Sequence, residues 1–298
     1  MSGLASDEEI GIVWRDPVPL AEAVRGISVP AVSGLYRIRR IGMDGWDYIG
    51  QTGSGRMNLR RRMAMLRGIY LDEMPYRDPH TAGPALFALL QTGGTAFEVS
   101  FCPVVGDTLW RKALEAVSIA RHRQRYGRSP TANFGRMPLG YRMSSGNNAR
   151  LVANRKRFRG GPYQQPTDAH LPGQPPIGPL DAETTGARWC GHAWSAWLPL
   201  VPDAIGASPA GDGLYRIDGR EEIIVYVGEG RLRTRLATHA TKVTTSSPQG
   251  EAFRRAAPLR YSLITGPWPR HQRLELETDL IAACVLANRR PPAAQFIG

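Results

Sequence analysis

Cysteine is scarce in this sequence, and the features of exported or membrane proteins are missing. Three cysteines lie far apart, at positions 102, 190 and 284, and form neither a CxxC pair nor an even set for disulfides. No apolar run approaches membrane-spanning length, and the N-terminus is acidic without an apolar core. These absences argue against a disulfide framework and predict a cytoplasmic protein without a membrane partner.

Acidic residues are also in the minority. The chain has 38 Lys and Arg against 26 Asp and Glu, a net charge of +12, and almost all the positive charge is arginine. Because guanidinium groups pair bidentately with phosphate, this balance favours nucleic acid or another polyanion as partner. A basic surface that only reflects an arginine-rich composition is the alternative, and charge alone does not separate the two.

One stretch of the sequence occurs twice. Gly34–Gly50 reads GLYRIRRIGMDGWDYIG, and Gly213–Gly228 reads GLYRIDGREEIIVYVG. Aromatic and β-branched residues around an Asp-Gly turn predict a β-hairpin. The first five residues are identical in the two copies, and Tyr-Ile-Gly returns as Tyr-Val-Gly. We expect the two tyrosines of each hairpin to share one face of neighbouring strands.

The segments that follow each hairpin repeat in the same order. Strand, strand, helix, helix, strand, helix around a small sheet predicts an α+β fold. We expect a first domain over residues 1–150, a Pro/Gly-rich basic linker over 151–188 and a second domain over 189–298. A weak echo of Pro19-Leu20 in Pro199-Leu200 indicates that the repeat begins before the hairpin.

Arginines recur at equal spacing in the helix predicted after each hairpin. Arg62 stands three residues after Leu59, and Arg235 stands three after Leu232. An arginine there can hold a phosphate and offset the charge of a transition state. A solvated helix arginine is the usual case, but the matched spacing favours function.

A carboxylate and a carboxamide are also spaced equally in the two copies. Glu115 precedes Asn133 by 18 residues, and Glu277 precedes Gln295 by 18. A hard cation such as Mg²⁺ takes one or two carboxylates and leaves positions for phosphate oxygen and water. One glutamate per copy therefore predicts a single-metal site, although a lone glutamate on a helix is more often a boundary residue.

In their order, these elements resemble the GIY-YIG nuclease family, twice in one chain. The signature elements are Gly-Leu-Tyr and Tyr-Ile-Gly or Tyr-Val-Gly. The resemblance implies two tandem units, each a small, mostly antiparallel sheet flanked by helices, with one Mg²⁺ or Mn²⁺ per active unit held by Glu115 and Glu277. The catalytic residues it implies are Tyr36, Tyr48, Arg62, Glu115, Asn133, Tyr215, Tyr226, Arg235, His239, Glu277 and Gln295.

Histidine distinguishes the two copies. His239 lies four residues after Arg235, on the same helix face, and is expected to assist proton transfer. The equivalent position of the first copy is Leu66, so that copy is expected to keep the asparagine and lack the histidine. His80 has no matching spacing and is interpreted as structural, as are His122 and His192.

The resemblance predicts a metal-dependent endonuclease that hydrolyses double-stranded DNA, of restriction or defence type, by water attack. One tyrosine would accept a proton from water while the other orients it, and which does which stays open. An alternative is a nucleic-acid-binding protein with degenerate units, which Gln295 favours for the second copy. An RNA nuclease is a weaker alternative, and a homodimer is compatible with the sequence.

Further arginines are expected to contact the phosphate backbone. Arg60 and Arg61 suit general phosphate contacts or plain solvation, and a basic run lies in the linker. The run consists of Arg155, Lys156, Arg157 and Arg159.

Replacing the four basic residues of this run by glutamine should weaken the salt dependence of DNA binding. Each lost phosphate contact reduces the slope of log K against log salt concentration by about 0.9. Binding titrations of the full chain between low and moderate salt measure the slope. An unchanged slope would show that the run does not touch the backbone.

Overall fold

A computed structural model describes residues 4–53, 56–77, 80–93, 96–143 and 169–297 of the chain. It contains two four-stranded antiparallel sheets flanked by helices, which confirms the predicted α+β class. The basic run 155–159 and part of the predicted linker lie outside the described residues. Cys102, Cys190 and Cys284 are buried free thiols. No described helix combines the length and apolar character needed to cross a bilayer.

The first sheet has the strand order β1-β4-β2-β3 and the second the order β5-β8-β6-β7. The elements of the first copy are β1 (Val18–Pro19), α1 (Leu20–Ala23), β2 (Gly34–Arg40), β3 (Tyr48–Gln51), α2 (Leu59–Ala64), α3 (Gly83–Gly93), β4 (Phe97–Pro103) and α4 (Thr108–Tyr126). Those of the second are β5 (Leu198–Pro199), α5 (Pro202–Gly206), β6 (Asp212–Asp218), β7 (Ile224–Arg231), α6 (Leu232–Lys242), α7 (Pro248–Ala256), β8 (Arg260–Thr265) and α8 (Arg270–Asn288). The order of long elements therefore repeats as the sequence predicts.

By contacts, the chain divides into two compact units. The first unit comprises Gly11–Arg111 and Ser129–Gly173, and the second comprises Met1–Ile10, Lys112–Arg128 and Gln174–Gly298. Most of α4 therefore belongs with the second sheet. The predicted domain boundaries at residues 150 and 189 follow the repeat in the sequence, and they stay a prediction.

The weak repeat of Pro19-Leu20 in Pro199-Leu200 coincides with the end of a short β-strand in each copy. In each copy a two-residue edge strand pairs with the strand that follows the two helices: Val18 with Val99, and Leu198 with Tyr261. A short helix follows each edge strand. Two residues are too few to give a period-2 pattern, so the sequence did not predict the fourth strand of each sheet.

The helix after the first hairpin is shorter than its counterpart. The helical spacing of Leu59, Met63, Leu66 and Ile69 predicts one continuous helix, but α2 ends at Ala64 and a separate 3-10 turn follows at Arg67–Tyr70. Leu59, Met63, Leu66 and Ile69 are all fully buried. In the second copy α6 continues for 11 residues. Position 66 therefore lies beyond the end of α2, whereas position 239 lies inside α6.

A buried ion pair joins two helices of the second unit. Arg123 on α4 is completely buried, and its guanidinium donates two hydrogen bonds to the Asp279 carboxylate on α8, at 2.8 and 2.9 Å. Glu275 lies 3.9 Å from the same guanidinium. Since removing one partner leaves an uncompensated buried charge, this pair holds α4 in the second unit.

Replacing Asp279 by alanine should lower the free energy of unfolding of the second unit by about 3–5 kcal/mol, because Arg123 then stays buried without its main partner. Denaturant unfolding of the full chain measures the change. The control is Glu251→Ala, which removes a carboxylate paired with two exposed arginines on α7. Equal effects of the two substitutions would contradict the assignment.

Candidate functional site

In the first hairpin each tyrosine is placed by its strand register. β2 pairs with β3 so that Tyr36 lies opposite Gly50 and Ile38 lies opposite Tyr48. Side chains alternate along a strand, so Tyr36 and Tyr48 point to the same face, with ring centres 5.8 Å apart. The prediction that the two tyrosines share one face is confirmed here.

The second hairpin repeats this arrangement. Tyr215 lies opposite Gly228, and Ile217 lies opposite Tyr226. The rings of Tyr215 and Tyr226 are 6.0 Å apart and stacked. All four tyrosines are buried, so each pair forms a polar cluster at the edge of an apolar core.

The last glycine of each hairpin is required by the tyrosines. A Cβ at Gly50 would lie 2.8 Å from the Tyr36 hydroxyl oxygen and 2.9 Å from that of Tyr48. A Cβ at Gly228 would lie closer still to the Tyr215 hydroxyl oxygen. The phenols therefore pack over a bare α-carbon, which explains why Tyr-x-Gly recurs as a unit.

The predicted carboxamides hold the edge strand that carries the second tyrosine. Asn133 accepts a hydrogen bond from the Ile49 N–H and donates one to its carbonyl, both at 2.9 Å. Gln295 accepts from the Val227 N–H at 3.0 Å. Ile49 and Val227 are the middle residues of the two Tyr-x-Gly motifs. Both carboxamides thus position β3 and β7 by satisfying outward backbone groups.

The loops that carry these carboxamides also correspond. In the segment Ala132–Phe134 the alanine N–H donates to the Asp47 carbonyl, just before β3. In the segment Ala294–Phe296 the alanine N–H donates to the Val225 carbonyl, in β7. The phenylalanine that ends each segment has a left-handed backbone, with φ of 60° and 66°. A positive φ is uncommon for an aromatic residue, so its presence in both loops supports the equivalence of Asn133 and Gln295.

Both predicted arginines lie near the first tyrosine of their hairpin. Arg62 Nε donates to the Tyr36 hydroxyl oxygen at 3.3 Å. Arg235 is close enough to Tyr215 for the negative charge that this phenol can carry to raise the pKa of Arg235. Arg62 is half-buried and Arg235 is exposed. Each guanidinium therefore lies beside a phenol, with access to solvent at the second site.

A histidine completes each cluster, and here the sequence interpretation needs correction. His239 Nε2 lies 2.8 Å from the Tyr215 hydroxyl oxygen, as expected of a residue on α6. The first copy was expected to lack this group and His80 to be structural. Instead His80 Nε2 lies 2.7 Å from the Tyr36 hydroxyl oxygen, and the imidazole is 1% exposed.

Sequence spacing could not reveal His80, because it comes from the segment before α3 and not from the helix that carries Arg62. The only available signal was indirect. Leu66 occupies the histidine position of a helix that was expected to continue, and α2 ends before it.

Electrostatics keep the second cluster uncharged near neutral pH, apart from Arg235. Burial first, then Arg235, lowers the pKa of His239 to about 3. Burial also raises the pKa of Tyr215 and Tyr226, and the lowering effect of Arg235 does not offset it. Arg235 favours the phenolate form of both tyrosines, but burial has the larger effect on their pKa values.

Glu277 is the predicted metal carboxylate of the second copy. It is half-buried on α8, and burial first, then repulsion from Glu229, raises its pKa to about 8. The positive charge of Arg235 opposes this shift, so the Arg235 guanidinium lies near enough to interact with the Glu277 carboxyl. Glu229 is itself ion-paired with Arg273 at 2.9 Å.

A single carboxyl destabilised as an anion suits a cation that takes its other ligands from water and phosphate. The described residues contain no group of three or more His, Cys, Asp or Glu side chains able to hold an ion. The residues present therefore fit Mg²⁺ bound through one carboxylate, and not an all-protein cage.

The remaining predicted residues have other surroundings. Glu115 is half-buried on α4, in the segment assigned to the second unit, and its metal role stays a prediction. Arg60 donates to the Val29 carbonyl at 3.0 and 3.1 Å, and Arg61 donates to the Arg56 carbonyl at 3.0 Å. Both are exposed. Their guanidinium groups brace neighbouring loops, and phosphate contact by them also stays a prediction.

Comparison of the chain with protein-family models, with curated proteins and with solved structures found no match.

Replacing Gly228 by alanine should destabilise the second unit by about 1–3 kcal/mol, because the added methyl overpacks the tyrosine pair. The matched control is Gly206→Ala, since a Cβ at this helical glycine meets no atom within 4 Å. That substitution should be neutral or slightly stabilising. Thermal unfolding of the full-length variants measures both, and near-equal melting temperatures would contradict the close approach.

Proposed function

We propose that this chain is a metal-dependent endonuclease of the GIY-YIG type that hydrolyses phosphodiester bonds of double-stranded DNA, with one active site on each sheet. One observation carries the proposal. A tyrosine pair, with an arginine and an imidazole on its first phenol, is built twice around the same Tyr-x-Gly motif. A structural core has no need for this set of groups in duplicate.

The arginines supply phosphate binding. Arg62 and Arg235 each hold a guanidinium beside a phenol oxygen, where it can pair with a non-bridging oxygen of the scissile phosphate. The same charge offsets the negative charge that develops as water attacks in line with the leaving oxygen. The net charge of +12 supports a polyanionic substrate.

The tyrosines orient the attacking water and accept its proton. Tyr215 and Tyr226 have raised pKa values and are neutral at pH 7, so they orient water by hydrogen bonding before a proton is transferred. His239 is neutral as well and keeps the phenol of Tyr215 in place. Which phenol receives the proton stays open for both sites.

A divalent ion supplies neutralisation of phosphate charge when it is bound. In the second copy Glu277 would hold it, and in the first copy Glu115 is proposed on the spacing of the repeat. The raised pKa of Glu277 reflects a carboxyl that gains from a nearby positive charge.

The surroundings of Gln295 support an active second copy over the degenerate alternative. Its carboxamide reaches the Val227 N–H as that of Asn133 reaches the Ile49 N–H. The second cluster also has its histidine and arginine at the first phenol. We therefore propose that both copies cut, one on each strand of a duplex.

Single arginine substitutions should separate the two cuts. With Mg²⁺, the wild-type chain should convert supercoiled plasmid to linear product. Arg62→Ala and Arg235→Ala should each stop at open circle, because loss of one phosphate contact at the transition state costs about a hundredfold or more in rate. Gel analysis over time, with and without EDTA, measures the products.

The double variant should produce neither form and still bind DNA. Arg255→Ala is the matched control, since Arg255 is an exposed helix arginine paired with Glu251. If Arg235→Ala still yields linear DNA at the wild-type rate, the second copy does not cut. If the wild type binds plasmid without any cleavage, the chain is a binding protein.

A further inference from the structure

The two clusters receive their imidazole from different parts of the chain. Nε2 lies 2.7 Å from the first phenol oxygen for His80 and 2.8 Å from it for His239. The ring of His80 also lies 5.4 Å from that of Tyr48, and the ring of His239 lies 4.5 Å from that of Tyr226. Each imidazole thus faces both tyrosines of its pair.

The length of the helix after the hairpin explains the difference. His239 lies on α6, four residues after Arg235, where a continuous helix directs both to one side. In the first copy the helix ends at Ala64, and Leu66 is buried in the apolar core. Position 66 lies beyond the end of α2 and is filled by this core leucine, and the imidazole of the first copy comes from another segment.

The hydrogen bonds of His80 fix its tautomer. The Ala82 N–H donates to His80 Nδ1 at 3.2 Å, so Nδ1 carries no proton. Burial first, then the charge of Arg62, holds the pKa of His80 well below its usual value, so the ring is neutral. A neutral imidazole has one proton, which must then be on Nε2 and point to the Tyr36 oxygen.

The Tyr36 oxygen therefore accepts two N–H groups, one from His80 and one from Arg62. Donors directed at a phenol oxygen favour its ionised form. In the second copy, His239 Nδ1 is buried and has no hydrogen-bond partner among the described residues. No such bond selects the tautomer of His239. The two copies therefore differ because a backbone N–H fixes the proton of His80 on Nε2, whereas no equivalent bond within the described part of the chain does so for His239.

We propose that His80 is a positioning residue whose Nε2–H donates a hydrogen bond to the Tyr36 oxygen. It lies in the segment before α3 and takes the place that a helical histidine has in the second copy. Its effect on cleavage rests on the proposed nuclease function, whereas the hydrogen bond and its effect on Tyr36 do not. The groups that face the Tyr36 phenol include His80, Arg62 and Tyr48.

The first test needs no cleavage. NMR of the full chain with ¹⁵N-labelled histidine should show His80 as the neutral tautomer protonated on Nε2 at pH 7. In ¹³Cζ-tyrosine spectra, assigned with Tyr36→Phe, the apparent pKa of Tyr36 should rise by about one pH unit or more in His80→Phe. His80→Gln restores an N–H donor and should return most of this shift.

The second test measures nicking by the first copy alone, in the Arg235→Ala background. His80→Phe should lower the rate about tenfold at pH 7 and move the alkaline rise of the pH–rate profile upward by about one unit. His80→Gln should recover most of the rate. The control is His192→Phe, which changes a buried histidine packed edge-on against two tryptophans of the second unit and should have no effect.

The two tests separate the two proposals. Absence of cleavage by the wild type overturns the nuclease function and leaves the NMR result to decide the role of His80. A proton on Nδ1 of His80, or an unchanged Tyr36 titration in His80→Phe, overturns the inference. An equal loss of rate in the Phe and Gln variants without a shift of the pH profile also overturns it, because His80 would then only fill space.

Discussion

The close packing of two phenols over one glycine α-carbon is the constraint on which both sites depend. The register of each hairpin places one tyrosine opposite the glycine and the other two residues before it. Only a residue without Cβ leaves room for both rings, as Gly50 and Gly228 show. The arginine, the histidine and the carboxamide loop are all arranged around this contact, so they could vary in origin while the hairpin could not.

The second tyrosine of each pair lies on an edge strand, and an edge strand needs a partner for its outward backbone groups. Asn133 and Gln295 provide one from a loop after the long helix of each copy. Both carboxamides bond only to backbone in the contacts described above, yet the strands that they hold carry the site. A shift of β3 or β7 would separate the phenols, so the carboxamides set the geometry in which the tyrosines work.

Much of this arrangement could be predicted from the sequence, because it is repeated. Tyr36, Arg62 and Asn133, with their counterparts, lie in elements whose pattern and spacing agree between the copies. His80 could not be predicted, since α2 stops where α6 continues and only tertiary packing brings the segment before α3 to Tyr36. The short edge strands and the raised pKa of Glu277 also depend on contacts and burial that a linear pattern does not contain.

The assignment of residues 112–128 to the second unit gives the protein a property that a tandem repeat does not usually have. The repeat in the sequence and the contacts in the fold divide the chain at different places. A fragment made of residues 189–298 would carry its own tyrosines, yet it would leave Asp279 and Glu275 on α8 without Arg123. A cut at the proline-rich segment would therefore remove from the second copy a buried arginine on which α8 depends, and a fragment that keeps this ion pair has to include residues 112–128.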